Sequence, residues 1–137
     1  LKSRSATDQQ LVLVGSPSIE IESDDDVLIA SELSDEAKWS LLQNANFLIS
    51  PSALESFSLV LFEAWAAGIP VLVNANCETT RSHAAEAEGG LWYRNYPEFE
   101  VAVERLTTDG AVRDHMATKG KLYTEAFPSI KLCADFL

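Results

Sequence analysis

Four apolar residues in a row, Leu11-Val12-Leu13-Val14, run straight into Gly15, Ser16 and Pro17. A short apolar run closed by turn residues reads as a buried strand. The same pattern returns at Val27-Leu28-Ile29, Phe47-Leu48-Ile49, Val71-Leu72-Val73 and Leu91-Trp92-Tyr93. Helical patterns lie between these runs. Ser34 ahead of Asp35 and Glu36 is an N-cap with acids in the first turn. It predicts a helix to about Asn46, with Ala37, Leu41, Leu42 and Ala45 facing in. Residues 59–67 are apolar almost all round, which predicts a buried helix, with Gly68 to end it and Pro70 to bar its return. Pro97 opens a helix to Thr108, with Phe99, Ala102, Val103 and Leu106 inward. Asp109 caps a last helix through about Phe127. Cys77 and His83 fall in a stretch after the fourth strand that reads as a loop.

Strands that are apolar without alternation, and that alternate with helices, belong to a parallel sheet covered on both faces. The expected fold is therefore α/β: a doubly wound, Rossmann-like parallel sheet with helices on both faces, one domain over residues 1–137. The pattern holds no internal repeat and no linker.

Composition narrows the partners. The chain has 137 residues, 47% of them apolar, and a formal net charge of −11. A chain of this size buries roughly 70% of its unfolded surface, enough for one core. The acid surplus argues against nucleic acid and anionic membranes, which are bound through Lys and Arg. The two cysteines, Cys77 and Cys133, lie far apart and outline neither a metal site nor a disulfide framework. Reduced thiols in the cytoplasm are the simplest reading. No apolar run reaches the ~18 residues of a transmembrane span. The start, Leu1-Lys2-Ser3-Arg4, has neither an initiator Met nor a signal-peptide core, which predicts a piece of a longer protein.

The chemistry concentrates between Pro51 and Pro70. Glu55 and Glu63 stand eight positions apart in a segment otherwise nearly all apolar or small. Burying charge is costly unless the charge is partnered or used. In open α/β sheets ligands sit beyond the carboxyl ends of the strands, and the segment from Ser50 to Ser58 leaves a strand there and opens a helix. The amides of Ser58, Leu59, Val60 and Leu61 are the expected unpaired donors of that helix start, where phosphate binds. Helical side chains lean toward the N-terminus, so Glu63 lies over the turn near Leu59 and Val60, with Glu55 just ahead of it. Carboxylates repel phosphate but bind neutral hydroxyls. Amides flanked by two such acids suit a nucleotide sugar.

This segment resembles the Glu-x7-Glu signature of retaining nucleotide-sugar glycosyltransferases of group 1, with the two-domain GT-B fold. Their wording, Pro-Ser-x-x-Glu-Ser-Phe-Gly-Leu-Val-x-x-Glu-Ala-x-Ala-x-Gly-x-Pro-Val, is matched from Pro51 to Val71 with one departure, Ser58 in place of Gly. The resemblance implies that Glu63 binds the donor ribose and that Glu55 lies by the transferred sugar and helps stabilise an oxocarbenium-like transition state. It implies a donor-binding turn of Ser56, Phe57, Ser58, Leu59 and Val60, whose amides hold sugar hydroxyls and diphosphate. It implies glycosyl transfer with retention and no required metal or other cofactor. The family clamps the donor phosphates with a Gly-Arg and a Lys upstream of the first strand matched here; Lys2 and Arg4 stand too close to Leu11 for that. The expectation is the C-terminal donor-binding domain of a two-domain enzyme, cut at its N-terminus and lacking the acceptor-binding domain, so that this piece alone does not turn over. A non-catalytic Rossmann-like module that binds a nucleotide or a protein is the alternative.

Other residues read more plainly. Asp24-Asp25-Asp26 precedes a strand, at the wrong edge of a parallel sheet for a ligand, and reads as a solvated loop. His83 and Cys77 lie on the ligand edge, where contact with donor or acceptor is weighed against the favoured reading of a structural or exposed role; His115 reads as a surface residue and Trp65 as core. No Gly-x-Ser-x-Gly and no Gly-x-Gly-x-x-Gly occurs, which excludes a nucleophile elbow and argues against a dinucleotide cofactor.

Overall fold

Each predicted apolar run is a strand, and every strand pairing among the described residues is parallel. The computed structural model describes residues 9–15 and 25–127. The chain divides into two compact units, Leu1–Lys38 and Trp39–Leu137. In the first, β1 (Leu11–Val14) pairs with β2 (Val27–Ala30), Leu11 opposite Val27. The ladder is closed at its ends by Leu11 N donating to Asp26 O at 2.8 Å and Gly15 N to Ala30 O at 3.0 Å. Asp25 and Asp26 are exposed, as expected of a solvated loop, while Asp24 lies outside the described residues.

In the second unit β3 (Leu48–Ser50), β4 (Val71–Asn74) and β5 (Gly90–Tyr93) form a sheet in that order. Around them run α1 (Asp35–Asn44, which begins in the first unit), α2 (Leu59–Ala66), α3 (Glu78–Ala87), α4 (Tyr96–Thr108) and α5 (Gly110–Glu125). Successive strand residues point to opposite faces, and both faces of β4 are covered. Val71 and Val73 join Leu61, Phe62, Ala64 and Trp65 of α2 and Ala84 and Ala87 of α3. Leu72 joins Ala102, Val103 and Leu106 of α4, with Phe47, Ile49, Leu91 and Phe99 packed against them. Helices on both faces of a parallel sheet make the Rossmann-like architecture expected.

The helix ends obey their local chemistry. Ser34 Oγ accepts from Ala37 N at 3.2 Å. Asn95 caps α4 by accepting from Glu98 N at 3.0 Å, while Glu98 Oε2 reaches back to accept from Arg94 N at 2.7 Å. These two bonds add to Pro97 as the start signal. Asp109 Oδ1 accepts from Val112 N at 3.1 Å at the start of α5. Gly68, at φ 87°, ends α2 with Gly68 N donating to Trp65 O and Ile69 N to Ala64 O, the paired bonds of a glycine-terminated helix.

Two expectations need correction. Ala37 is exposed rather than inward, because α1 packs through its later half, where Leu42 enters the core. The stretch carrying Cys77 and His83 is not a loop: Cys77 is the N-cap of α3 and His83 lies within it. The buried residues of α3 are Thr80, Ala84 and Ala87, too small to give the periodic signal of larger side chains.

Close packing surrounds Trp65, whose side chain is fully buried. Its indole Nε1 donates to Gly89 O at 3.0 Å. A Cβ on Gly89 would stand 2.5 Å from Nε1, and one on Gly120 2.1 Å from Cδ1. Gly120 lies inside α5, where glycine is about 1 kcal/mol worse than alanine. The indole requires it there. Gly120→Ala should lose about 1–3 kcal/mol to overpacking, read as a lower urea midpoint. Gly110→Ala is the control: its nearest neighbour would stand at 3.5 Å, and stability should not fall.

Candidate functional site

The chain leaves β3 at buried Ser50 and crosses the carboxyl end of the sheet as an open turn before α2 begins. Neighbouring elements fix its start. Asn74, the last residue of β4, donates through Nδ2 to Pro51 O at 3.1 Å and accepts at Oδ1 from Asn76 N at 2.9 Å. Ser52 Oγ donates to Leu54 O at 2.9 Å. Cys77 touches the turn from α3. Burial pushes its thiol pKa up, but the Thr80 hydroxyl and the backbones of Thr80, Glu55 and Thr79 outweigh this and hold it below its ordinary value.

Glu55, Ser56 and Phe57 are exposed, Leu59, Val60 and Glu63 half-buried. Glu63 Oε2 is sealed from solvent. Ser58 is the N-cap of α2 in the left-handed region, φ 64° and ψ 68°, and its side chain makes no cap bond. Its Oγ is buried with no hydrogen-bond partner among the described residues. A non-glycine residue here is strained by roughly 1–2 kcal/mol, and an N-cap ordinarily takes extended backbone. The amides of Leu59 and Val60 donate to no acceptor among the described residues. Leu61 is a correction: its amide donates to Ser58 O at 3.2 Å, so the first turn has already spent that donor.

Behind the turn lies an aromatic cluster. Phe57 stacks on Phe62 with centroids 5.1 Å apart and planes 4° from parallel. His83 meets Phe57 edge-on at 5.5 Å and Phe62 at 5.2 Å. Its Nδ1 lies 3.0 Å from the Tyr123 hydroxyl, which donates to Glu86 Oε2 at 3.1 Å. Burial holds His83 below its ordinary pKa, against the opposing pull of Glu86. Burial, then the bond to Glu86 and its charge, push Tyr123 up to about 12. Sequence reasoning did not see Asn74 or Tyr123 in this neighbourhood; each acts from another element, and no local pattern marks it.

Two surface grooves flank β5, one toward α4 along Leu91, Trp92, Arg94 and Arg105, the other toward α3 and α5 along Ala85, Glu88, Trp92 and His115. Both are open, and neither includes a residue of the turn before α2. The open amides of Leu59 and Val60 thus lie outside both grooves. Trp92 and His115 are both exposed. No helix among the described residues is long and apolar enough to cross a membrane.

The family model for glycosyl transferases group 1 matches residues 1–123. The chain belongs to the group 1 glycosyltransferases. No curated protein sequence matches it. Among solved structures it is similar to sucrose-phosphate synthase from Thermosynechococcus elongatus, with a TM-score of 0.74 and 24% identity over 92% of this chain and 37% of that one. It is also similar to WaaG, a glycosyltransferase involved in lipopolysaccharide biosynthesis, with a TM-score of 0.65 and 24% identity over 81% of this chain and 31% of that one. These likenesses show that the chain shares the GT-B-type fold of those structures over the part of each that it spans. The chain spans about a third of either structure.

Two outcomes follow for this chain. Ser58→Gly should raise stability by about 1 kcal/mol in urea unfolding, since relief of the left-handed strain exceeds the added entropy of glycine. The titrations carry opposite signs. His83 has a depressed folded pKa, so its share of stability is full above its ordinary 6.5 and is lost as pH falls through the lower folded value. Tyr123 has a raised one, so its share is full below 10 and lost as pH climbs through about 12. Unfolding midpoints across pH should show both slopes, the acid one flattened in His83→Phe and the alkaline one in Tyr123→Phe.

Proposed function

We propose that the chain is the donor-binding half of a retaining glycosyltransferase that moves a sugar from a nucleotide diphosphate sugar to an acceptor. One observation carries this reading: the N-terminus of α2 offers open amides at Leu59 and Val60, with Glu55 just before it and Glu63 one turn inside. Amides at a helix start favour the diphosphate. The acids take hydroxyls, Glu63 those of the ribose and Glu55 those of the transferred sugar. Ser56, Phe57 and Ser58 supply the rest of the donor turn. Glu55 adds negative charge where the anomeric carbon becomes oxocarbenium-like, and the amides stabilise the departing diphosphate electrostatically. This chemistry requires no metal of the protein's own. Acceptor binding then falls to a domain outside these 137 residues, consistent with the third of each related structure that the chain spans, and the reaction takes place in the cytoplasm.

A second reading, a binding module without turnover, is favoured by Ser58, whose Cβ and strained backbone crowd the approach that glycine leaves open in the family's wording. Calorimetry with UDP-, GDP- and ADP-sugars tests the donor site common to both readings. Glu63→Ala should weaken binding of the preferred nucleotide sugar tenfold or more, the equivalent of about 1.5–3 kcal/mol for a charged hydrogen bond. Unchanged affinity removes Glu63 from the site. Sugar transfer by the 137-residue chain itself would overturn the assignment of acceptor binding to a further domain.

A further inference from the structure

Ser58 holds a backbone conformation that its side chain disfavours, at φ 64°, with a buried hydroxyl bonded to no described residue. Such a residue persists only where its surroundings over-determine it. The restraint comes through the preceding residue. Phe57 lies flat on Phe62, and the edge-on ring of His83 contacts both. His83 is itself fixed. The Tyr123 hydroxyl donates its single proton to Glu86 Oε2, so the 3.0 Å contact between His83 and Tyr123 requires that Nδ1 carry a proton and donate to the phenol oxygen. The imidazole is thereby set in one tautomer and one angle by a residue of α5 and a second residue of α3.

We propose that His83 is a positioning residue, locked by Tyr123 and Glu86, that holds Phe57 and through it the strained Glu55–Ser58 turn in its ligand-ready form. It rests on the proposed function in taking that turn as the donor site. His83 acts through Phe57 and need not touch the ligand.

Amide hydrogen exchange of the 137-residue chain, read on a peptide spanning residues 52–61, tests the brace without any ligand. His83→Ala should speed exchange of that peptide tenfold or more while peptides of β4 and α4 stay unchanged. Tyr123→Phe keeps the ring and removes only the hydroxyl; it should act on the same peptide in the same direction. Glycine takes positive φ unaided, so in a Ser58→Gly background the effect of His83→Ala should shrink below threefold. Unchanged exchange of 52–61 in both variants, uniform acceleration along the chain, or an effect undiminished by Ser58→Gly would each overturn the proposal. In calorimetry with UDP-glucose, GDP-mannose and ADP-glucose, His83→Ala should lose tenfold in affinity for whichever the unaltered chain binds. Failure of all three to bind the unaltered chain counts against the proposed function, and the exchange result still decides the role of His83.

Discussion

The second unit is organised by one close approach. Trp65 enters a slot whose walls are backbone: the strand-leading Gly89 on one side and the helical Gly120 on the other. No other residue type leaves room for an indole there. The slot also accepts the indole proton at Gly89 O, so the largest side chain of the core is buried without an unsatisfied donor. This contact pins α2 to α5 and to the β5 end of the sheet. The N-terminus of α2, with the turn before it, is placed by the same contact.

The turn itself is poorly suited to its own sequence. Ser58 is strained, its hydroxyl is buried without a described partner, and the five residues before it are all exposed. Energy of this kind has to be offset by neighbours. Asn74 holds the entry at Pro51, Cys77 faces the Glu55 backbone from α3, and Phe57 is clamped by Phe62 and His83. Restraints from three separate elements on one exposed turn go beyond what a solvated loop needs. On the proposed reading they hold the amides and acids in place before a ligand arrives, so less ordering is required on binding.

The strands were legible because a doubly covered parallel strand must be apolar without interruption, as Val71-Leu72-Val73 is. The caps at Ser34 and Asp109 were legible because their chemistry is local. So was the motif around Glu55 and Glu63, whose spacing by itself sets them either side of one helix start. The third helix was hidden, since Ala84, Ala87 and Thr80 carry too little hydrophobic contrast to announce a face. Leu61 was misjudged as an open donor because the carbonyl of the cap residue Ser58 closes a tight three-residue turn onto that amide, a backbone detail that side-chain patterns do not encode.

By itself the sequence determined the class of fold, the order of elements, the family wording from Pro51 to Val71 and the two acids on which the proposed function rests. These follow from contacts within a few residues of each other or from period and composition. Tertiary structure decided that Gly120, thirty-one residues from Gly89, completes the same slot, and that Tyr123 meets His83 across forty residues. It also decided that Ser58 keeps a conformation its own side chain opposes. Those outcomes depend on surfaces brought together only when α2, α3 and α5 pack, and nothing local in the chain can specify them.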